Sequence, residues 1–218
     1  MAAQFIQVTM NEIIAPTDYP ANKIAEAHER TLDVIRRRWS PRAFSGRVVT
    51  ADDLVALFDA ARWAASCNGE EPWRFLVATK ANPAQFETML GCLVEANQAW
   101  AKHAPILLLT VARKNFTYNN KPNAYALHDT GMALANLMLQ AVSMGFFAHA
   151  MAGYDKEKAR LAYSIPEDYE LGAAVALGYL GDPFTLSEKA KQTELASRSR
   201  KPLNEIVFEG TWASPATL

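Results

Sequence analysis

Cysteine is nearly absent from this sequence: Cys67 and Cys92 are the only two among 218 residues, and they do not form a Cys-x-x-Cys pair. That argues against a disulfide framework or a cysteine-built metal centre, and a reducing compartment suits the composition. A surplus of charge of one sign is lacking as well. Lys and Arg number 22 against 23 Asp and Glu, a formal net charge of −1, so the molecule as a whole has no electrostatic pull toward nucleic acid or anionic lipid. Long apolar runs are missing too. The least charged stretch, Tyr125 to Met144, still holds His128, Asp129, Asn136 and Gln140, groups that are costly in the middle of a lipid span. Met1 to Met10 shows no basic segment followed by an apolar one, the pattern of a secretory leader. The expectation is a cytoplasmic protein with no membrane and no nucleic-acid partner.

Several catalytic signatures are also missing. There is no Gly-x-x-x-x-Gly-Lys phosphate loop, no Gly-x-Gly-x-x-Gly turn and no His-Glu-x-x-His zinc motif. His28, His103, His128 and His149 do not recur at metal-ligand spacing, so no metal site is expected, and no Ser or Cys sits in a nucleophile elbow. His128-Asp129, on an apolar helix, reads as a core or interface hydrogen-bonding pair in preference to an acid/base dyad. A chain with so few catalytic side chains usually takes its chemistry from a cofactor.

What is present is an ordinary globular composition, 50% apolar and 21% charged, in a chain long enough to bury about 70% of its unfolded surface. No repeat, low-complexity tract or linker divides it, so one domain is expected over 1–218, with an extended arm at 1–20 and a C-terminal extension at 184–218. Asn22 can cap a helix running to about Arg37, and Pro41 disfavours helix at Ser40. Thr50 with Asp53 resembles a capping box, followed by Leu54, Leu57, Phe58 and Ala61 at helical spacing. Asn68-Gly69 marks a turn, Trp73 to Ala78 a strand, and Asn82-Pro83 the start of a helix. Ile106 to Val111 is a continuous apolar run suited to a central buried strand. A loop at 113–123 precedes a long helix over 124–144 that ends at Gly145. A short strand Phe146 to Ala150, a small helix capped by Asp155 and a strand Ala173 to Tyr179 complete an α+β or mixed α/β pattern.

Two basic knots stand out: Arg36-Arg37-Arg38-Trp39-Ser40-Pro41-Arg42, and Arg198-Ser199-Arg200-Lys201 near the other end. Guanidinium groups fork onto phosphate oxygens and a neighbouring hydroxyl completes an anion cradle. Taken alone, each run reads in preference as a solvated face or as a partner for acids such as Asp33 and Glu194. Nucleic-acid binding is the weaker alternative, because no aromatic-basic array follows.

The order of four segments resolves that choice. Arg38-x-Ser40-x-Arg42-x-Phe44, then Ser66 to Phe75 (Ser-Cys-Asn-Gly-Glu-Glu-Pro-Trp-Arg-Phe), then Met151-Ala152-Gly153-Tyr154-Asp155, and finally Arg198-Ser199-Arg200-Lys201-Pro202-Leu203 resemble, in sequence, the motifs of the nitroreductase family. The resemblance covers about residues 28–210. It implies an α+β nitroreductase-like fold, a central mostly antiparallel sheet flanked by helices, in an intertwined homodimer with FMN at the interface. It also implies reduction of nitroaromatics, quinones or similar small-molecule electron acceptors, with NADH or NADPH as hydride donor, by a ping-pong cycle through flavin N5.

Position by position, Arg38, Ser40, Arg198 and Arg200 match positions that hold the FMN phosphate and ribityl chain, and Arg42 matches a cation near the flavin N1 and O2 edge. A fixed positive charge there stabilises negative charge on the reduced flavin. Asn68 and Gly69 fall where the family places an Asn facing the pyrimidine edge. Met151, Ala152 and Gly153 match a backbone segment over the isoalloxazine. Glu71 stands where Gln is usual, exchanging an amide for an acceptor-only carboxylate, and Trp39 either stacks on the cofactor or packs. The flavin carries the chemistry, so no catalytic side chain is expected. The same scaffold also supports flavin-dependent reductive dehalogenation and flavin-modifying chemistry, and a non-catalytic flavin-binding protein would carry the same motifs.

Overall fold

A computed structural model describes residues 20–217. Four strands, β1 (Trp73–Thr79), β2 (Ile106–Arg113), β3 (Phe147–Met151) and β4 (Tyr169–Gly178), form one sheet in the order β1-β2-β4-β3 with every pairing antiparallel. Helices α2 (Ala51–Arg62) and α5 (Ala126–Ser143) cover one face, while α3 (Pro83–Cys92), α4 (Glu95–Ala101) and α6 (Lys156–Ala162) cover the other. The remaining helices are the short α1 (Asp33–Arg37) and α7 (Glu188–Leu195), which lie at the ends of the described chain. This is the α+β, antiparallel architecture expected.

β2 shows why the apolar run at 106–111 is central. Successive side chains alternate between faces: Ile106 and Leu108 join Leu57, Leu134 and Leu137 in one core, whereas Leu107, Leu109 and Val111 join Phe86, Met89 and Trp100 in the other. With both faces covered, the strand is apolar toward both and polarity alternation is lost; Thr110, the polar exception before Arg113, is buried with its hydroxyl donating to the Ala173 carbonyl at 3.2 Å. The capping box at the start of α2 forms as the pattern required, with the Thr50 side chain accepting from the Asp53 N–H and Asp53 accepting from the Thr50 N–H. The long helix starts two residues later than expected, and Gly145 follows it with φ 80°, the left-handed stop that glycine permits. β4 starts four residues earlier than expected, because Tyr169, Glu170 and Leu171 still pair with β2 beyond an irregularity at Leu109/Val111.

One expected helix is absent. Over 22–37 there is only a 3₁₀ turn (Ala21–Lys23) and the five-residue α1. Ile24, Leu32 and Ile35, which were to supply its apolar face, are exposed, so no packed stripe offsets the cost of nucleating a helix. The chain doubles back instead, the Ala25 N–H donating to the Arg36 carbonyl at 2.9 Å. Two helices went unanticipated: α4, whose Trp100 is buried, and α7, inside the polar tail, capped by Ser187. The expected arm lies outside the described residues, apart from Pro20.

Candidate functional site

The basic segment leaves α1 in extended conformation at Arg38 (φ −61°, ψ 122°) and runs along the outer edge of the sheet beside β3. His149 of β3 hydrogen-bonds the Pro41 carbonyl through Nδ1 at 2.9 Å, the Gly181 N–H donates to the Ala43 carbonyl at 2.9 Å, and the Ser45 N–H donates to the Tyr179 carbonyl at 3.0 Å. Gly181 lies so close that a Cβ there would sit 2.4 Å from the Phe44 carbonyl carbon. Helix α7 supplies the remaining anchor. The buried Glu194 carboxylate accepts from the Arg42 N–H at 2.9 and 3.0 Å and from the Ala43 N–H at 3.0 Å.

The same helix carries the second basic knot to the first. Arg198 Nη1 donates to the carbonyls of Lys23 at 2.6 Å and Arg36 at 3.0 Å, and Lys23 Nζ donates to the Ala196 carbonyl while lying 4.6 Å from the centre of the Trp39 ring. The result is a cleft of about 210 Å³ lined by Lys23, Arg38, Ser40, Arg42, Arg198 and Arg200. Five cations meet one buried carboxylate there. Arg38 Nη1 donates to Ser40 Oγ at 3.3 Å, turning the hydroxyl and guanidinium into one donor pair, and Arg200 Nη1 donates to the Ser199 carbonyl at 2.8 Å. Burial pulls the Lys23 ammonium below its usual range, with Glu194 opposing and Arg198 and Arg42 adding to the fall. Burial likewise dominates at His149, whose pKa drops to about 4; the Pro41 hydrogen bond opposes and Arg42 assists. His149 is therefore a neutral structural group, its ring 4.7 Å from that of Trp100.

Not every Arg of the first knot enters this cleft. Arg37 pairs with Asp33 at 2.6 Å, the acid partner the sequence offered for this run. Trp39 borders the cleft but is buried, edge-on to Phe147 at 6.3 Å. At the end of β3, Met151 is buried and Ala152 exposed. The Gly153 carbonyl accepts from the Val94 N–H at 3.1 Å and from Asn97 Nδ2 at 3.0 Å. A Cβ at Gly153 would sit 2.6 Å from Asn97 Nδ2, so a side chain here would displace the Asn97 amide that holds this backbone.

Asn68, Gly69 and Glu71 lie elsewhere. They form a tight turn before β1 in which all three have positive φ (54°, 65° and 50°). For Asn68 and Glu71 this left-handed backbone is strained. It is held by the Glu71 N–H donating to Ser66 Oγ at 3.0 Å and the Cys67 N–H donating to the buried Asp129 carboxylate at 2.9 Å. Gly69 and Glu71 line a second cleft of about 340 Å³ with Arg62, Trp63 and Ser66. Asp129 also bonds His128 Nδ1 at 3.0 Å, a hydrogen-bonding pair as expected. β1 and β3 are opposite edges of the sheet, three strand spacings or about 14 Å apart. One chain thus assembles the basic cleft but not the turn beside it. Sequence reasoning missed Lys23, which carries no motif, and saw Glu194 only as a possible ion-pair partner. Among the described residues no His/Cys/Asp/Glu cluster could hold a metal, and no helix is long and apolar enough to cross a membrane.

The nitroreductase family model matches residues 35–179. Protein DrgA of Synechocystis sp. is 31% identical over 174 residues, covering 68% of this chain and 83% of that protein. An uncharacterized 15.4 kDa protein of Mycolicibacterium smegmatis is 36% identical over 130 residues, covering 60% of this chain and 86% of its own length. Among solved structures, an oxidoreductase containing FMN superposes with a TM-score of 0.80 at 34% identity, covering 86% of this chain and 96% of the other. The family match takes in the first basic segment, the strained turn and all four strands, and on it the chain belongs to the nitroreductase family.

Proposed function

We propose that the protein is an FMN-dependent oxidoreductase using NADH or NADPH as hydride donor and nitroaromatic, quinone or similar compounds as acceptors. One observation carries the reading: knots some 160 residues apart in the sequence converge on one cleft, where five cations and a hydroxyl face a space suited to a phosphate monoester. The likeness to an FMN-containing oxidoreductase supports it. FMN bound there would supply the hydride-transfer chemistry that links nicotinamide and acceptor in a ping-pong cycle.

The chain's own residues bind and tune. Arg38, Ser40 and Arg200 grip the phosphate, and Arg198, tied to two backbone carbonyls, holds the cleft closed. Arg42, whose backbone is fixed by Glu194, would supply fixed positive charge to stabilise the reduced cofactor. Met151, Ala152 and Gly153 offer rigid backbone. Asn68, Gly69 and Glu71, on the far edge of the sheet, reach the same cofactor from a second copy of the chain, so the active unit is a homodimer. Exposed Leu32, Val55, Trp63 and Leu127 are apolar groups that such an interface would cover.

Anaerobic mixing of the FMN-loaded protein with NADH and with NADPH tests the reading. Loss of the flavin's visible absorbance with either nucleotide, and its return on adding a quinone, are the expected results. A flavin that neither nucleotide bleaches would make this a non-catalytic flavin-binding protein, and a protein that takes up no FMN would refute the cofactor assignment.

A further inference from the structure

The loop between β2 and α5 is fastened to the strained turn. Asn115 bridges Pro122, and the Phe116 N–H donates to the Lys121 carbonyl at 2.9 Å, which makes the loop narrow. Its tip is tied at three points: the Thr117 N–H and Oγ1 donate to the Glu70 carboxylate at 2.8 and 3.0 Å, and Asn68 Nδ2 donates to Tyr118 Oη at 3.2 Å. The Tyr118 ring rests 5.3 Å from that of Phe116, so the phenol oxygen has a defended position although the side chain is exposed.

A primary amide presents donors on one side and an acceptor on the other. With one Nδ2 hydrogen engaged by Tyr118 Oη, the Asn68 amide is oriented, and its carbonyl oxygen is the acceptor it keeps for a ligand. Glu71, three residues on, adds a carboxylate that also only accepts when ionised. We infer that Tyr118 is a positioning residue for Asn68, locking its amide so that the turn presents acceptors and selects a ligand edge bearing an imide N–H. This rests on the reading above that Asn68 faces the flavin, whose pyrimidine edge carries such an imide at N3. The loop thereby sets how tightly the ring is held, without touching it.

The test compares dissociation constants of FMN and of 3-methyl-FMN, in which the imide hydrogen is replaced, for the wild type, Tyr118→Phe and Asn68→Ala. The wild type is expected to favour FMN by roughly tenfold or more, the worth of one hydrogen bond plus a crowded methyl. Tyr118→Phe keeps the ring and the Glu70–Thr117 tie, yet is expected to weaken FMN by about three- to tenfold while leaving 3-methyl-FMN unchanged. Asn68→Ala is expected to abolish the discrimination. If Tyr118→Phe matches the wild type with both ligands while Asn68→Ala loses discrimination, Asn68 needs no help and the inference fails. Full discrimination in Asn68→Ala overturns both the inference and Asn68's assignment, whereas failure of the wild type to bind FMN at all refutes the cofactor reading itself.

Discussion

Glu194 is where the end of the chain holds the beginning in place, and removing it has a consequence that can be worked from the structure. Its carboxylate is buried at 4% exposure and accepts from the N–H groups of Arg42 and Ala43. In Glu194→Ala both donors lose their acceptor, and the cleft lined by Lys23, Arg42 and Arg198 loses its buried carboxylate. Each hydrogen bond to a charged group contributes about 1.5–3 kcal/mol, and breaking a buried charged contact from one side costs about 3–5 kcal/mol. A loss of about 3–5 kcal/mol is therefore expected. Glu194→Gln retains an acceptor of the same shape and should lose roughly half as much. Urea unfolding of the FMN-free protein at fixed concentration reads the difference as a shift in midpoint at constant slope. Because the same contacts hold the 40–43 segment, FMN affinity should fall in parallel. A Glu194→Ala protein within about 0.5 kcal/mol of wild type, the range of ordinary surface changes, and with unaltered FMN binding, would refute this description of the cleft.

His149 should produce part of the acid sensitivity. Its folded pKa of about 4 lies below the ordinary 6.5, so the unfolded chain binds more protons between those values. The stabilisation is complete above pH 6.5 and is lost as pH falls toward 4, about 3 kcal/mol in full; His149→Gln should flatten that slope in urea midpoints measured across the window, and an unchanged slope would count against it. Gly181→Ala should destabilise by about 1–3 kcal/mol, because the new methyl meets the Phe44 backbone and not a yielding side chain. Thermal melting would show it, and a melting temperature equal to wild type would mean the close approach is not as described.

Local chemistry was legible wherever it was self-contained. Thr50 and Asp53 make their capping box from four consecutive residues, and β2 declares its double burial by a run of apolar residues without polar alternation, broken only by Thr110 before Arg113. The segment 22–37 misled because helical spacing of Ile24, Leu32 and Ile35 is informative only if something covers that face, and among the described residues nothing does. The meeting of the two basic knots was suggested by motif order alone; the cause is Glu194 and the backbone carbonyls of Lys23 and Arg36, which carry no sequence signature. Trp39, open to either stacking or packing on the sequence, packs against Phe147. The separation of Asn68 from the basic cleft follows from the strand order β1-β2-β4-β3, a long-range property that spacing along the chain does not encode.

The central claim is that Arg38, Ser40 and Arg200 in this cleft hold the phosphate of FMN, and comparison of FMN with riboflavin tests it most directly. Two charge-assisted contacts at about 1.5–3 kcal/mol each correspond to at least about a hundredfold preference for FMN. The expected result is that preference in the wild type and its collapse in the Arg38→Ala/Arg200→Ala double variant, with riboflavin affinity little changed. Riboflavin bound as tightly as FMN by the wild type, or a double variant that keeps the full preference, would contradict the assignment.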